Sequence, residues 1–409
     1  MLRFLTAGES HGQALVVIVE GLPAGLTIDI TLVNCELRRR QLGYGRGQRM
    51  AIEADEATVL SGIRAGQTIG SPISLLIGNR DWKNWQKTMH VEPEAPSDAT
   101  GALRPPVTRP RPGHADLAGG LKFDRTDLRD VLERASARET AARVAAGALA
   151  RQLLAAVGIE VVSHVVAVGE VGSDQACTVA FEDARRIADD RPLRAADPAL
   201  EQRMVEAIDR ARAAGDTLGG AFEVIAHGVP PGLGSYTQWD RRLDGLLAQA
   251  LMSIPAIKAV AIGLGTAVAA RPGSQVHDEF VLRPEGDGRP RVARMTNRAG
   301  GLEGGVTNGE DVRVTAYMKP ISTLMQPLRS IDLATLECAP ATVERSDVCA
   351  VPAAAVVGEA MTCLVLARAL GERFAGDTLD ALEASMAAAR RRVDERLGRA
   401  PDDAGADES

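Results

Sequence analysis

The order of apolar and polar residues along the chain predicts strands and helices that alternate. Valine-rich or alternating apolar runs predict strands at residues 14–19, 71–77, 159–168, 218–228, 257–262 and 312–318, and a short strand and turn at 52–62. Helical spacing of apolar residues predicts helices at residues 32–41, 140–157, 200–214, 242–253, 353–371 and 376–398. The pattern alone therefore predicts a protein of mixed α and β structure, with one or two domains.

The segments between these elements differ in composition. Residues 91–113 are rich in proline but lead directly into His114, which favours a long ordered loop within one domain over a linker. We expect residues 172–200 to form a surface excursion and the acidic tail, residues 399–409, to be disordered. Residues 296–309 contain five glycines among small polar residues, so a flat ring could lie against their backbone.

Composition argues against several classes of function. The net charge of −7 disfavours a general nucleic-acid binder, which is more often basic. The five cysteines are scattered without a Cys-x-x-Cys pair, so we expect reduced thiols in the cytoplasm and no metal site. The chain starts without a secretory apolar run, and we expect no apolar stretch long enough to span a bilayer.

Residues 38–50 combine five arginines with three glycines. Arginine offers a planar fork of donors that matches carboxylate and phosphate oxygens, and glycine lets the backbone approach a ligand closely. An exposed basic loop is the alternative, because only five of the 47 basic residues are lysine and arginine is the usual cation of this chain. On an acidic protein, such a cluster fits a small, highly anionic ligand better than a polyanion.

Histidines and a helix start add candidate chemistry. His11 and His114 each lie beside glycine, in turns where a histidine can serve as an acid or base, although a lone histidine is more often structural. Residues 133–140 open a helix with two arginines nearby. That helix start is either a phosphate site or an ordinary end capped by Ser136 or Thr140.

Three further features leave alternatives open. Asp347 precedes a predicted helix and fits either a cap or a functional carboxylate. Trp82 and Trp85 could flank a flat ligand, but core or interface packing is the more common use of such residues. One of the five lysines, Lys319, stands near two hydroxyl residues. The chain carries neither the Gly-x-Gly-x-x-Gly dinucleotide motif nor a P-loop.

Together these parts resemble the chorismate synthase family, in the family's order from residue 6 to about residue 352. The matching segments are TAGESHG at 6–12, RRQLGYGRGQRM at 39–50, RPGHAD at 111–116, ERASARET at 133–140, TNRAGGLEGGVTNG at 296–309, MKPIST at 318–323 and RSD at 345–347. The chain departs from the family in the excursion at 172–200 and in the acidic tail.

The resemblance implies an anti-1,4-elimination of phosphate from 5-enolpyruvylshikimate 3-phosphate that gives chorismate, the last common step of the shikimate pathway to aromatic amino acids. The family is a carbon–oxygen lyase that requires reduced FMN with no net redox change. The reduced flavin lends electron density as phosphate leaves, and its N5 takes up the C6 hydrogen. The substrate carries two carboxylates and a phosphate, which would account for the arginine-rich stretch.

The resemblance also implies roles for individual residues. His11 would face the departing phosphate, His114 would protonate the reduced flavin, and Asp347 would help to move the proton at N5. The substrate would contact Ser10, Arg40, Arg46, Arg49 and Arg138. The flavin would contact Arg134, Ala135, Ser136, Pro255, Ala256, Gly304, Lys319, Pro320, Ile321, Ser322, Thr323 and Arg345.

For the architecture, the resemblance implies one α+β domain over residues 1–398, with helices sandwiched between antiparallel β-sheets. It also implies a cytoplasmic homotetramer, a dimer of dimers. An external flavin reductase would supply the reduced FMN, with NADPH as a possible source of electrons. Two other readings stay open: a flavin- or nucleotide-dependent oxidoreductase with another substrate, and a non-catalytic binder of phosphorylated ligands or RNA. The missing dinucleotide motif disfavours the first, and the acidic net charge disfavours the second.

Overall fold

The computed structural model describes residues 1–47, 55–172, 178–284, 290–344 and 346–397. The helices are α1 (Ile30–Gln41), α2 (Asp116–Phe123), α3 (Arg129–Ala135), α4 (Thr140–Ala156), α5 (Phe181–Arg185), α6 (Pro198–Ala213), α7 (Leu243–Met252), α8 (Val351–Arg373) and α9 (Leu379–Leu397). The strands are β1 (Arg3–Ala7), β2 (Ala14–Glu20), β3 (Ala57–Ser61), β4 (Ile63–Arg64), β5 (Gln67–Thr68), β6 (Ile73–Gly78), β7 (Glu160–Val168), β8 (Val171–Gly172), β9 (Gly220–His227), β10 (Ile257–Ile262), β11 (Phe280–Pro284), β12 (Pro290–Arg294), β13 (Leu302–Glu303), β14 (Val306–Thr307), β15 (Val312–Met318), β16 (Arg329–Asp332) and β17 (Glu337–Pro340).

Two antiparallel sheets carry most of the strand residues within the described part of the chain. The first has the order β1-β2-β6-β3 and the second the order β10-β15-β9-β7-β8. In β2 the side chains of Leu15, Val17 and Val19 are buried, so every second residue faces the core as the apolar pattern predicts. The predicted strands and helices are confirmed to within a few residues at their ends, except that residues 52–54 and 398 of these predictions lie outside the described residues. The fold class is α+β.

Helices α4 and α8 cross at very close range. A Cβ atom on Gly147 of α4 would lie 2.4 Å from Cβ of Ala360 on α8, so a larger residue there would push the helices apart. A Cβ atom on Gly358 of α8 would similarly lie 2.5 Å from the Phe222 ring on β9. α4 also contacts β2 of the first sheet. Small residues therefore allow α4 and α8 to pack closely, and this pair of helices connects the two sheets.

Helix α8 has the length and apolarity of a membrane-spanning segment, with 23 residues and a mean hydropathy of 1.7. The expectation that no apolar stretch is long enough is therefore wrong for α8. Within its most apolar window, 89% of the residues are buried inside the protein. Its contacts with α4 and β9 identify it as a core helix, because the surface that would meet lipid is already covered.

The excursion at 172–200 is more deeply packed than expected. Phe181 and Ala184 of α5 are buried against the second sheet, and residues 193–195 are also buried. The carboxylate of Glu201 accepts hydrogen bonds from the backbone N–H groups of Leu193 and Ala195. Such side chain–backbone bonds leave no periodic signal in a sequence, which explains why residues 172–200 were expected to lie at the surface. Residues 173–177 and the tail at 399–409 lie outside the described residues.

Candidate active site

The turn between β1 and β2 carries Ser10 and His11. Gly8 begins the turn with a φ of +106°, and a Cβ atom there would lie 2.4 Å from the carbonyl oxygen of Ala14. Glycine is therefore required at this position. The backbone N–H of Ser10 donates to the carbonyl of Glu133 at 2.9 Å, which ties the turn to the end of α3.

His11 is held by a buried carboxylate and an aromatic ring. Its Nδ1 lies 2.9 Å from both carboxylate oxygens of Glu133, and its backbone N–H donates to Glu133 Oε2 at 2.8 Å. The ring stacks on Trp85 with a centroid distance of 3.7 Å and an interplanar angle of 19°. Trp85 is buried, as the core interpretation expected, but it packs directly against a candidate catalytic residue.

A second set of contacts joins three predicted substrate residues. The Ser136 hydroxyl lies 3.2 Å from that of Ser10 and also accepts from the backbone N–H of Arg138. The guanidinium groups of Arg138 and Arg40 both donate to Oδ2 of Asp55, at 2.6 and 2.8 Å. All three charged side chains are at least 94% buried. Two candidate substrate arginines thus share one buried carboxylate, beside the turn that carries His11.

Arg40 is only partly satisfied by this arrangement. Burial is the largest effect on its pKa, and the nearby charges of Arg138 and Arg46 act with it against the attraction of Asp55. The net result is a pKa for Arg40 below its usual value. Its Nε atom is buried and has no hydrogen-bond partner within the described residues. Within the described residues, the positive charge of Arg40 is therefore incompletely compensated.

Arg46 and Asp347 lie together at the end of the arginine-rich stretch. Arg46 Nη1 is 2.7 Å from Asp347 Oδ2, and the backbone N–H of Gly47 donates to Asp347 Oδ1 at 2.6 Å. The cap of α8 is Ala350, so the interpretation of Asp347 as its capping residue is wrong. The carboxylate instead fixes the glycine-rich backbone that follows α1.

His114 belongs to a second cluster, built on the loop before α2. Its Nδ1 lies 2.6 Å from Oδ1 of Asp116, which is fully buried. Arg111 donates to Asp116 from its backbone N–H, from Nε and from Nη2, and it also reaches the Thr323 hydroxyl at 3.2 Å. Burial alone would raise the pKa of Asp116, but the hydrogen bonds from His114 and Arg111 lower it far below its usual range.

The loop at 319–323 closes this second cluster. Lys319 Nζ donates to the Gly113 carbonyl at 2.7 Å, and the Lys319 backbone N–H donates to the carbonyl of Ala256 at 2.9 Å. Burial, and then the positive charge of Lys258, lower the pKa of Lys319. Ala256 has a φ of +69°, a strained conformation for a residue with a side chain. Five of the predicted flavin residues, 319–323, thus lie in one loop that contacts Ala256 and the His114 loop.

Two connections bring the clusters towards each other. Arg143 of α4 donates to the backbone and side chain of Ser253, which places the 253–256 turn beside the start of α4. The Thr217 hydroxyl donates to the carbonyl of Ile321, and the next residue, Leu218, donates to the carbonyl of Val348. Both clusters therefore border the same region, between the start of α4 and the loop before α8.

Some predicted residues are not joined to this region. Gly304 lies in the β13–β14 hairpin, beside Gly305, which contacts the first residue of α7. Pro255 and Ala256 follow the other end of α7. The ten residues of this helix span about 15 Å, and they separate Gly304 from Pro255 and Ala256. Arg134, in contrast, is joined to the first cluster, because its guanidinium donates to the carbonyls of Thr6 and Gly8 in the His11 turn. Arg49 and Arg345 lie outside the described residues.

Several functional partners were missed from the sequence. Glu133 and Asp116 belong to the quoted motifs, but nothing in the sequence assigned them to the histidines. Asp116 follows His114 by two residues, a short spacing that could have suggested the pair. Asp55 gave no signal, because its two arginine partners come from α1 and from the turn before α4. Trp85 was considered as a residue that flanks a flat ligand. Its stacking on His11 was missed because the two residues are 74 positions apart in the sequence.

Comparisons with known proteins identify the family of this chain. A family model described as chorismate synthase matches residues 2–370. A chorismate synthase from Moorella thermoacetica is 58% identical over 395 residues, which cover 97% of this chain and 100% of that protein. One from Geobacter sulfurreducens is 55% identical, with 93% of this chain and 96% of that protein covered. A crystal structure of chorismate synthase matches with a TM-score of 0.76 and 41% identity, covering 96% of this chain and 98% of that chain.

Proposed function

The chain belongs to the chorismate synthase family, and from this premise we propose how its residues divide the work of that family's reaction. The reaction is the elimination of phosphate from 5-enolpyruvylshikimate 3-phosphate to give chorismate, a lyase step in aromatic amino acid biosynthesis. It requires reduced FMN with no net redox change. Because the chain covers nearly the full length of its relatives, the assignment concerns the whole enzyme.

The substrate site is proposed at the first cluster, with Ser10, Arg40, Arg46, Arg49 and Arg138 as its contacts. The observation that carries this proposal is the pair Arg40 and Arg138, both buried on the single carboxylate of Asp55. Buried arginine forks suit the carboxylates and the phosphate of the substrate. The contact between Ser136 and Ser10 sets this pair beside His11, so a bound phosphate would meet both cations and an acid.

His11 is proposed as the acid that meets the departing phosphate. His114, whose Nδ1 lies 2.6 Å from Asp116, would hold a proton for the reduced flavin. Asp347 would accept a proton, and its contacts with Arg46 and Gly47 would hold its carboxylate in place. These three groups lie in separate loops. A carboxylate holds each histidine and Arg46 holds Asp347, so the reaction would depend on several preformed contacts rather than on one catalytic triad.

The second cluster fits a flavin mononucleotide. Burial, and then the positive charge of Lys258, lower the pKa of Lys319, and an anionic phosphate would offset the repulsion between the two lysines. The hydroxyls of Ser322 and Thr323 and the strained backbone at Ala256 offer polar contacts for a heterocycle. The proposed flavin contacts are Arg134, Ala135, Ser136, Pro255, Ala256, Gly304, Lys319, Pro320, Ile321, Ser322, Thr323 and Arg345. When bound, reduced FMN would supply electron density as phosphate leaves.

We propose that the protein acts in the cytoplasm as a homotetramer, a dimer of dimers. Leu5 and Ile18 support self-association, because they pair across β1 and β2 on one face of the first sheet and are 73% and 43% exposed. The contacts of α4 and α8 support one domain over residues 1–398, with its helices between the two sheets. An external reductase, with NADPH as a source of electrons, would keep FMN reduced.

A direct assay tests the reaction and its cofactor requirement. Purified protein would be mixed under anaerobic conditions with the substrate and chemically reduced FMN, and chorismate and phosphate would be measured together. We expect equal amounts of both products, no product with oxidised FMN alone, and no consumption of reduced flavin over many turnovers. Stoichiometric oxidation of the flavin or of NADPH would instead indicate an oxidoreductase.

A further inference from the structure

Glu133 makes an unusual set of contacts with His11. Both of its carboxylate oxygens lie 2.9 Å from Nδ1, and one of them also accepts the backbone N–H of the same residue. The side chain of Glu133 is 1% exposed. Burial alone would raise the pKa of Glu133, but the hydrogen bonds and charge of His11, and then the charge of Arg129, lower it below its usual value. The group is therefore a carboxylate at neutral pH.

A carboxylate can only accept hydrogen bonds, so Nδ1 of His11 must carry a hydrogen. In the neutral ring this leaves Nε2 as the atom with the free lone pair. In the protonated ring, Nε2–H is the proton that can leave. The contact with Glu133 thus selects one of two ring tautomers, and the two states differ only at Nε2.

Trp85 fixes the plane of the same ring. The stacking distance of 3.7 Å leaves no room for the imidazole to tilt towards Trp85. The Trp85 ring is itself held by a hydrogen bond from Nε1 to Asp81 at 2.9 Å and by Arg104, whose guanidinium carbon lies 3.8 Å from the ring centroid. With Nδ1 anchored and the plane fixed, the direction in which Nε2 points is set before any ligand binds.

We propose that Glu133 is a positioning residue that keeps a hydrogen on Nδ1 of His11, so that Nε2 is the atom that exchanges a proton with the substrate. This inference rests on the proposed role of His11 as the acid at the departing phosphate. In that step the Nε2–H bond breaks and a bond forms between the proton and a phosphate oxygen. The ring becomes neutral and keeps Nδ1–H, while Glu133 stays ionised and transfers no proton.

Other charged groups near this pair do not substitute for Glu133. Arg129 Nη1 lies 3.5 Å from Glu133 Oε1, so it contacts the carboxylate and not the imidazole. Asp81 and Arg104 contact Trp85, on which His11 stacks. Glu139 offers a matched control, because it is also a buried glutamate, 7% exposed, but pairs with Arg143 at 2.9 Å.

The test compares Glu133→Gln with Glu139→Gln. Glutamine keeps the shape of the side chain but removes the charge, and its amide can present a donor as well as an acceptor. For Glu133→Gln we expect kcat to fall by about 10²-fold, the scale of acid–base catalysis, with KM changed by less than about threefold. The alkaline limb of the pH–rate profile should move to lower pH, because a neutral amide stabilises the charged ring less. Glu139→Gln should reproduce neither effect.

Nitrogen NMR of histidine-labelled protein reports which ring nitrogen of His11 carries the hydrogen. The His11→Asn variant identifies the signals of His11 among the six histidines. We expect the neutral His11 ring to carry its hydrogen on Nδ1 in the wild type and to shift towards Nε2–H in Glu133→Gln. An unchanged tautomer in folded Glu133→Gln protein, or a loss of kcat no larger than in Glu139→Gln, would overturn the inference. Full turnover in His11→Ala would instead overturn the proposed role of His11, whatever the tautomer.

Discussion

Arg39 and Arg40 are neighbours in α1, yet they enter two ion-pair clusters of different character. Arg39 donates to both carboxylate oxygens of Glu359, at 2.8 and 3.1 Å, and to Glu36 and Asp189 at 2.7 Å. Burial would lower its pKa, but the attraction of Glu359 and Glu36 outweighs burial and raises the pKa well above its usual range. Arg39 is therefore electrostatically satisfied without any ligand.

Arg40 shows the opposite balance. It shares Asp55 with Arg138, burial and neighbouring arginines lower its pKa, and its Nε lacks a partner in the part of the chain that is described. From this difference we infer that Arg39 serves the fold and that Arg40 is the arginine that binds a ligand. A perturbed cation with an unused donor marks a binding site, whereas a fully paired one marks a structural link.

The largest effect is expected from replacing Glu359, the carboxylate at the centre of the Arg39 cluster. Glu359 also accepts from Arg151 and from the Ser163 hydroxyl, and it is fully buried. Glu359→Gln would remove the fully buried carboxylate that Arg39 and Arg151 share, so we expect a loss of about 3–5 kcal/mol of unfolding free energy. Denaturant unfolding measures this loss. An unfolding free energy within about 1 kcal/mol of the wild type would show that the cluster is not a structural link.

The next effect concerns the carboxylate beside the substrate arginines. Asp347→Asn should keep the hydrogen bond from Gly47 but lose the proposed proton acceptor, so we expect kcat to fall by roughly 100-fold. KM should stay constant or decrease, because Arg46 is released from its ion pair and can meet the substrate. Steady-state kinetics at fixed reduced FMN separate the two constants. An increase in KM with constant kcat would make Asp347 a purely structural partner of Arg46.

Replacing Arg39 by methionine should destabilise the protein, whereas the same change at Arg40 should not. Arg40→Met removes a buried cation that is poorly satisfied, so we expect an unchanged or slightly higher melting temperature. Arg39→Met leaves Glu359 and Glu36 with one cation fewer and should cost about 2 kcal/mol or more. Thermal unfolding of both variants at the same pH gives the comparison. Equal losses in the two would mean that the clusters have the same structural role.

The smallest effect is the pH dependence of the unfolding free energy that Glu359 contributes. Burial would raise the pKa of Glu359, but Arg39 and Arg151 lower it below its ordinary value of 4.5. A carboxyl with a lowered pKa in the folded state contributes stability that is complete above its unfolded value and is lost as the pH falls below that value. The stability difference between wild type and Glu359→Gln should therefore be constant from pH 7 to about 5 and shrink at lower pH. A difference that grows on acidification would reverse the sign of the interaction.

The elements were largely predictable, but the clusters were not. The apolar pattern located β10 and β15 to the residue, because an alternating or continuous apolar run reports burial directly. Helical spacing puts Arg40 on the same face as the buried Val33 and Leu37, but it does not identify the partner of either arginine. Their roles follow from Glu359, 320 positions away, and from Asp55, 15 positions away. Contacts of this kind are set by tertiary packing and leave no local signal.

The central claim is that Arg40 is held ready for an anionic ligand while Arg39 supports the fold. The most direct test is titration calorimetry of 5-enolpyruvylshikimate 3-phosphate with Arg40→Lys and Arg39→Lys, each of which keeps its charge but loses the planar fork. We predict that Arg40→Lys weakens substrate binding by about tenfold or more, at a melting temperature close to that of the wild type. Arg39→Lys should bind within about twofold of the wild type and melt at a lower temperature. Equal affinities in the two variants, or a larger loss of affinity in Arg39→Lys, would contradict the account.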